Sequence, residues 1–340
     1  MPKSTLGVDN RSQNRLPVRS RSLLSPTGDP MEPGSLLRAA RTGAGVALRE
    51  LARRTHYAVG YLSQIETGQR PVSAEIVAAY ETALDVHLDR LAAVSAAPGA
   101  VDAETLDDAA AILAATRRIE DSAGPVAVLA AVRGLGAMAE TLARDAPRAR
   151  VATAVALASE LAQYRGWLEF ATGADAAAQR SFVRAVYLAR ESGNPDRLVH
   201  GLSFSAFAAL ANSEYRSAAE LSEAALAVRG AHPLIVVFEH YQRARIQAAL
   251  GAEKAAERAL LVADDSAARA AHEERPSAGY WYGPEFFALQ RGRVLRTLGR
   301  EDQARREVQA AVAALPPEQR RASWMAKWTR AADGTADIPH

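Results

Sequence analysis

The N-terminal part of the chain alternates between short helical patterns and helix-breaking residues. Apolar positions recur at spacings of three and four, which is the period of an α-helix, and the patterns stop at glycine or proline. They predict five short helices within residues 32–94: Ser35–Thr42, Leu48–Thr55, Val59–Glu66, Ala74–Leu84 and one centred on Leu88–Val94. Five short helices in so few residues indicate a compact domain.

Longer helical patterns fill residues 104–332, and a small residue begins a recurring motif four times. Small or apolar residues follow each start at offsets of five, nine and twelve, and the starts are Gly173, Ser213, Gly251 and Gly299. Another small residue lies seven positions before each start: Gly166, Ala206, Ala244 and Gly292. Small residues on two neighbouring helices let their backbones approach closely, so the pattern predicts stacked helical hairpins.

Two segments show no helical period. Residues 1–31 are rich in Ser, Pro, Asn and Arg and are predicted to be a disordered tail. Residues 95–103, which contain Pro98 and Gly99, are predicted to be a linker. Alternating β-branched patterns are nearly absent, so we expect an all-α protein.

Composition removes several classes of function. There are no cysteines, which excludes disulfides and thiolate zinc sites. No phosphate loop, dinucleotide-binding turn or nucleophile elbow occurs, so we expect no enzymatic activity, no cofactor and no metal site. No uninterrupted apolar run reaches the roughly 18 residues that a membrane span needs, and no secretory signal is present. A cytoplasmic protein is therefore expected.

The second and third predicted helices carry the most informative pattern. Leu51 and Ala52 give the first of the two a buried face, and Leu62 and Ile65 do the same for the second. The positions that then project outward from the second helix are Val59, Gly60, Ser63 and Gln64. Two short helices at a fixed angle, with small and polar groups on the outer one, match the geometry that enters a DNA major groove.

This stretch resembles the helix-turn-helix of the phage-repressor-like (XRE) family. The resemblance covers roughly residues 35–91 and rests on Leu-Ala followed by Leu-Ser-Gln-Ile-Glu-x-Gly. It implies a repressor-like domain that binds double-stranded DNA as a homodimer. It also implies three roles, which are base-edge contacts by Val59, Gly60 and Gln64, backbone contacts by Ser63 and Arg70, and a structural ion pair between Arg41 and Glu66.

Basic residues beside this helix have two interpretations. Arg49 and Arg53 lie four residues apart on one face, which is either a solvated basic face or a pair of phosphate contacts. Gln64 is the best candidate for direct readout, because a Gln amide bonds adenine N6 and N7 together.

Four residues depart from the family pattern. Ala47 and Ala58 stand where the family has Ser or Thr caps, each worth about 1 kcal/mol. His56 replaces a turn glycine, and Leu48 replaces a glutamine that contacts DNA. These losses predict that DNA affinity and discrimination are reduced.

The helical hairpins resemble tetratricopeptide repeats in an α-solenoid. Their intervals of 40, 38 and 48 residues exceed that family's period of about 34, so they are degenerate repeats. The resemblance implies a concave ligand groove lined by the first helix of each hairpin: Gln163, Trp167, His200, Ser203, Phe207, Phe238, Tyr241, Arg245, Phe286, Arg293 and Arg296. Aromatic and arginine side chains would suit a peptide with a bound carboxylate, or several of these residues are packing between repeats.

Two C-terminal segments extend this picture. Tyr280–Pro284 concentrates aromatic residues and is either a loop over the groove or the apolar entry to the last hairpin. Residues 317–332 are predicted to form one capping helix that carries Trp324 and Trp328.

Two functions fit the whole sequence. The first is a dimeric transcriptional regulator in which a peptide, small molecule or protein in the groove changes DNA binding. The second is a protein-interaction scaffold that retains a weak or vestigial helix-turn-helix. The intact Leu-Ser-Gln-Ile-Glu run favours the first, and the missing caps and Leu48 favour the second.

Overall fold

The computed structural model describes residues 33–84, 99 and 101–337. Within these residues every regular element is a helix, so the all-α prediction is confirmed. The tail at 1–31 and the fifth short helix at Leu88–Val94 lie outside the described residues, as does most of the linker at 95–103.

Four short helices form the N-terminal part of the described chain: α1 Pro33–Gly43, α2 Leu48–Thr55, α3 Val59–Glu66 and α4 Ala74–Leu84. The bounds of α2, α3 and α4 are those that the sequence pattern predicts. Ala47 and Ala58 precede α2 and α3 without a side-chain capping bond. His56 ends α2 in the left-handed conformation, with φ of +59°.

The core between these helices is made of large apolar side chains. Leu37, Leu51, Leu62 and Ile76 are at most 2% exposed, and Tyr80 is fully buried among them. Full burial of each such side chain contributes roughly 1.5–3 kcal/mol, which compensates for the weak caps. The unit therefore holds together through tertiary packing rather than through helix propensity.

Long helices follow: α5 Ala103–Ala123, α6 Pro125–Asp145, α7 Val151–Ala171, α8 Asp175–Ser192, α9 Pro195–Ala211, α10 Tyr215–Leu226, α11 Pro233–Ala249, α12 Glu253–Arg269, α13 Pro284–Thr297 and α14 Glu301–Ala314. Consecutive pairs from α7 to α14 pack closely as hairpins. Two short helices end the described chain: α15 Pro317–Arg320 and α16 Ala326–Ala332.

The recurring motif marks the turn and the contact of each hairpin. All four motif starts have positive φ: Gly173 +80°, Ser213 +62°, Gly251 +72° and Gly299 +74°. A Cβ built on Gly166 would lie 2.6 Å from the Phe182 ring, and one on Gly292 would lie 2.6 Å from Val308 Cγ2. In these two hairpins the small residue of the first helix therefore faces the second helix, as the spacing of the motif predicts.

The C-terminal segment differs from the single capping helix that the sequence predicts. It consists of α15, a 3₁₀ turn at Ser323–Met325 and α16. The helix is interrupted because Ala322 is extended, with ψ of 142°, and the Ser323 hydroxyl donates to the backbone oxygen of Glu120 at 2.9 Å. The end of the array thus returns to α5, its first helix.

Among the described helices, α6 is the one that is long and apolar enough to cross a bilayer by length and composition. One face of α6 is buried and belongs to the protein core. It is formed by Val128, Val132, Leu135 and Leu142. It packs against α5, α7 and α1. Core helices of folded proteins commonly have this composition, and the packing of α6 accounts for it here.

One hydrophobic cluster connects the two parts of the described chain. It contains Leu37 and Leu51 from the short helices together with Leu106 and Leu113 from α5. Helix α1 packs against both α5 and α6. The short helices therefore rest directly on the first hairpin of the array.

Candidate DNA-binding surface and ligand cavity

The outer side of α3 is open to solvent. Val59 is 40% exposed, Gly60 and Gln64 are exposed, and Ser63 is half-buried. Leu62 and Ile65 are fully buried on the opposite side. The four residues of α3 expected to face DNA therefore share an accessible surface.

Arg70 holds the side chain of Gln64. Its Nε donates to Gln64 Oε1 at 2.7 Å, and its guanidinium lies 5.3 Å from the centre of the Tyr61 ring. An amide oxygen accepts two hydrogen bonds, so Gln64 keeps one acceptor position and both of its donors. The exposed pair can thus present a fixed amide to a base edge.

Arg49 and Arg53, the two α2 arginines predicted as phosphate contacts, differ in their surroundings. Both are exposed, but Arg53 forms an ion pair with Glu50 at 2.6 Å, and Arg54 bonds the same carboxylate at 2.8 Å. Hydrogen bonds from Arg53 and Arg54 lower the pKa of Glu50 to about 2, so its negative charge persists. Arg49 has no recorded partner within residues 33–84, which makes it the freer cation for a phosphate.

A buried ion pair joins α1 to α3. Arg41 Nε and Nη2 donate to the two carboxylate oxygens of Glu66 at 2.6 and 2.8 Å, and Arg41 Nη1 donates to the backbone oxygen of Val46 at 2.8 Å. Tyr80 adds a third bond to the Glu66 carboxylate at 3.0 Å. Such a bidentate pair fixes the direction in which α3 leaves the core.

Comparison with known proteins identifies this part of the chain. The family model described as Helix-turn-helix matches residues 37–91. The described part of this match, residues 37–84, comprises most of α1 and all of α2, α3 and α4, and is called the helix-turn-helix domain below. The transcriptional regulator ClgR of Mycobacterium tuberculosis, from strains CDC 1551 / Oshkosh and ATCC 25618 / H37Rv, is 42% identical over 55 residues. The match covers 16% of this chain, and the chain spans about half the length of these curated relatives, 49%.

A solved structure shows a weaker likeness over a longer region. It is the crystal structure of Bacillus thuringiensis PlcR in complex with the peptide PapR7 and DNA. The alignment covers 83% of this chain and 93% of that chain, with 11% sequence identity and a TM-score of 0.39. That value is too low to establish a shared fold.

A cavity of about 410 Å³ lies inside the helical array. Twelve of the chain's 20 aromatic residues line it, including all four tryptophans. They are Tyr164, Trp167, Phe170, Phe204, Phe207, Phe238, Tyr280, Trp281, Tyr282, Phe286, Trp324 and Trp328. Aromatic residues make up only 6% of the chain, so this concentration makes the cavity a candidate ligand site.

The residues expected in the groove divide into two groups. Six line the cavity: Gln163, Trp167, Phe207, Phe238, Phe286 and Arg293. The other five are absent from its wall: His200, Ser203, Tyr241, Arg245 and Arg296. The first helix of a hairpin packs against the neighbouring hairpin on one side and faces the groove on another. The spacing of the repeats does not show which of these two sides a given residue occupies.

The five residues away from the wall have structural contacts. His200 Nε2 lies 3.2 Å from the Tyr282 hydroxyl, and Tyr241 donates to Asp264 at 2.8 Å. The backbone oxygen of Ser203 accepts from Gln242 at 2.7 Å. Arg296 forms an ion pair with Asp337 at 3.5 Å, and Arg245 lies over the Phe207 ring.

Helix α5 supplies a part of the cavity that the sequence did not reveal. Arg117, Glu120 and Asp121 line the wall from its C-terminal end. Tyr280 donates to the Asp121 carboxylate, across 159 positions in sequence. Since α5 lies outside the recurring motif, no spacing in the sequence pointed to these residues.

The acidic groups of α5 are held by hydrogen bonds. Glu120 accepts from the Tyr164 hydroxyl at 2.8 Å and from Trp167 Nε1 at 2.9 Å. Burial raises the pKa of Glu120 above its usual value despite these bonds. Arg117 is buried beside it and pairs with Glu160 at 2.6 Å.

Proposed function

We propose that this protein is a cytoplasmic transcriptional regulator whose helix-turn-helix binds double-stranded DNA and whose array binds a signal that changes that binding. The accessible outer side of α3, with the Gln64–Arg70 pair, carries the DNA half of the proposal. The curated relatives are transcriptional regulators, which supports it. The aromatic cavity carries the signal half.

Helix α5 offers a physical route between the two halves. Leu106 and Leu113 near its start and middle belong to the cluster that includes Leu37 of the helix-turn-helix domain. Its other end places Glu120 and Asp121 in the cavity wall. A ligand that displaces this end shifts a rigid helix against α1, and the ligand must favour one position by several kcal/mol to change DNA occupancy strongly.

The DNA half requires two copies of the domain. Two α3 helices in a homodimer would read half-sites about one turn of DNA apart. We therefore expect an inverted repeat as the target. Either part of the chain could provide the dimer contact.

The DNA half is tested by fluorescence anisotropy of the full chain on genomic fragments near its own gene. Gln64→Ala is expected to reduce the preference for the specific fragment over random DNA about tenfold or more, because a bidentate base contact is worth about 1–3 kcal/mol. Arg49→Ala should weaken both complexes alike and flatten the salt dependence by about one phosphate.

Gln69→Ala is the matched control, since Gln69 is exposed beside the same surface. It should change neither affinity nor preference. Equal losses on specific and random DNA for Gln64→Ala would contradict the readout by this residue.

The scaffold remains the second candidate, and specific observations favour it. Ala47 and Ala58 supply no side-chain capping bonds to α2 and α3, and the Arg53 guanidinium is already paired with the Glu50 carboxylate. If the chain associates with all DNA weakly and alike over a salt series, the helix-turn-helix is vestigial and the array is the functional part.

A further inference from the structure

One buried polar side chain in the cavity wall has no partner. Gln163 of α7 lines the cavity and is 6% exposed. Within residues 33–84, 99 and 101–337 its amide makes no hydrogen bond, and both amide atoms remain accessible to solvent. Buried polar groups of folded proteins are nearly always hydrogen-bonded, because leaving one unpaired is costly. The Gln163 amide is therefore a group that a ligand in the cavity would satisfy.

The carboxylates of the wall differ from Gln163, because they already have donors. Glu120 Oε1 accepts from Trp167, and its Oε2 accepts from Tyr164. The Asp121 carboxylate accepts from the Tyr280 hydroxyl. The acidic groups are thus hydrogen-bonded within the fold.

The cations of the wall are also engaged. Arg117 pairs with Glu160 at 2.6 Å, and Arg293 Nη1 donates to Gln290 Oε1 at 3.3 Å. Lys327 is exposed, so water solvates its ammonium group. A charged ligand would meet groups that already have partners, whereas a neutral ligand leaves these bonds in place. The unpaired amide therefore favours an uncharged ligand.

The position of Gln163 in α7 places it next to an aromatic surface. Gln163 and Trp167 are four positions apart, so their side chains share one face of the helix. The Trp167 ring is held by its bond to Glu120, and it lies 6.4 Å from the Phe170 ring and 6.1 Å from the Phe207 ring. Flat aromatic surfaces of this kind bind flat rings by stacking and edge contacts. The wall thus combines an unpaired amide with a fixed aromatic surface.

A side-chain amide carries a donor and an acceptor side by side. Its complement is a ring lactam, whose N–H and C=O lie on one edge of a flat ring and receive both bonds at once without a charge. Cavities of roughly 300–1,000 Å³ hold compact organic ligands, and the volume here is about 410 Å³. A molecule of about three fused rings fits this space.

We infer that the cavity binds a flat, neutral aromatic lactam, with its ring amide paired to the Gln163 side chain and its rings against the Trp167 surface. This inference rests on the proposed function, since it names the chemical class of the signal. It replaces the bound carboxylate that the repeat resemblance implied with an uncharged group.

A pair of lactams isolates the contribution of the ring amide. Phenanthridinone has three fused rings with an N–H beside a carbonyl, and N-methylphenanthridinone has the same rings and carbonyl without the N–H. Energy transfer from tryptophan reports binding, because all four tryptophans line the cavity. We expect the full-length protein to bind the N–H lactam about tenfold more tightly, since the methyl group prevents the paired hydrogen bonds.

Gln163→Met removes the amide and keeps a side chain of similar length. It should lower the affinity for the N–H lactam until the two lactams bind alike, and leave the affinity for the N-methyl lactam nearly unchanged. The amide has no hydrogen bond within the described fold to lose, so the variant should unfold at the wild-type temperature. Gln179→Met, at an exposed position of α8 outside the cavity, is the matched control and should behave as wild type.

Equal affinities for the two lactams in the wild type would overturn the inference. A preference that survives in Gln163→Met would also overturn it, because steric exclusion of the methyl group would then explain the difference. DNA anisotropy in the same samples separates this result from the proposed function. Selective lactam binding without DNA binding upholds the ligand class and refutes the regulator, and DNA binding without selective lactam binding does the reverse.

Discussion

The surface of α3 and the cavity of the array are both candidate binding sites, but they are built in opposite ways. The α3 surface is exposed, and its residues lie within about 20 positions of one another. The cavity lies between helices inside the array, and its wall collects residues from Arg117 to Trp328. A site made by one short helix follows from local pattern, whereas a cavity between helices depends on which helices come together.

The two sites also treat charge differently. Near α3 the exposed pairs, such as Arg53–Glu50, are screened by water and contribute little to stability. In the array, charges such as Arg245 and Glu239 are buried, where each unpaired group is costly. We therefore expect substitutions on the α3 surface to change binding with little effect on stability, and substitutions of buried charges in the array to change stability.

Arg41 is an exception to this contrast, because its charge is buried although it lies in the helix-turn-helix domain. Its substitution is therefore expected to change stability. Arg41→Ala leaves the Glu66 carboxylate buried without its cation, and the expected loss is about 3–5 kcal/mol. Circular dichroism during urea unfolding should show an early phase. Tryptophan fluorescence should change later, since all four tryptophans are in the array.

Arg38→Ala, at an exposed position of the same helix, is the control and should leave both transitions in place. If both probes shift together in Arg41→Ala, the two regions unfold as one unit.

Glu239 tests the array through pH. Burial raises the pKa of Glu239 to about 7 from 4.5, and its Oε1 has no hydrogen-bond partner. The folded state holds the proton more tightly than the unfolded state, so this group stabilises the fold below pH 4.5, and that contribution is lost as pH rises to about 7. His200 acts in the opposite sense, because burial lowers its pKa to about 3 and stability falls as pH drops below 6.5.

Glu239→Gln removes the first contribution alone. The stability of the variant relative to wild type should rise by about 3 kcal/mol between pH 4.5 and 7.5, as 2.5 pKa units imply. Urea unfolding followed by tryptophan fluorescence at both pH values measures this change. A difference that does not vary with pH would show that Glu239 titrates normally in the fold.

Two glycines of the array test whether its stability depends on close contacts between helices. Gly166→Ala places a Cβ 2.6 Å from the Phe182 ring and should destabilise by about 1–3 kcal/mol. Gly136→Ala, in α6 with nothing within 4 Å of the new Cβ, should stabilise by about 0.5–1 kcal/mol. Thermal unfolding of the pair gives the comparison, and equal effects would deny the close contact.

The smallest expected effect lies in the turn between α2 and α3. His56 has φ of +59°, which a residue with a Cβ adopts at a cost. His56→Gly should stabilise by up to about 1 kcal/mol, and His56→Ala, which keeps the Cβ, should not. Circular dichroism during unfolding measures both. A gain in the alanine variant would place the strain in the imidazole instead of the backbone.

Local pattern predicted the helices and the repeats well. The bounds of α2, α3 and α4 agree with prediction, and all four motif starts adopt the positive φ that the hairpin turns need. It predicted the cavity only in part. Trp167 and Phe207 line the cavity wall, whereas Tyr241 donates a hydrogen bond to Asp264 away from it. The apolar pattern of a first helix is the same on the side that faces the cavity and on the side that packs against another helix, so the pattern does not distinguish them.

The sequence alone determined what is encoded at short range: helix bounds, turns, the small residues that let helices touch, and the side of α3 that faces outward. These follow from hydrophobic period and backbone preference, which act over a few residues. Only the tertiary structure decided that α5 completes the cavity, that Ser323 and Tyr280 close it, and that Arg245 and Arg293 approach one phenylalanine ring. Such contacts join residues up to some 200 positions apart, and their geometry depends on the summed rotation of every hairpin between them.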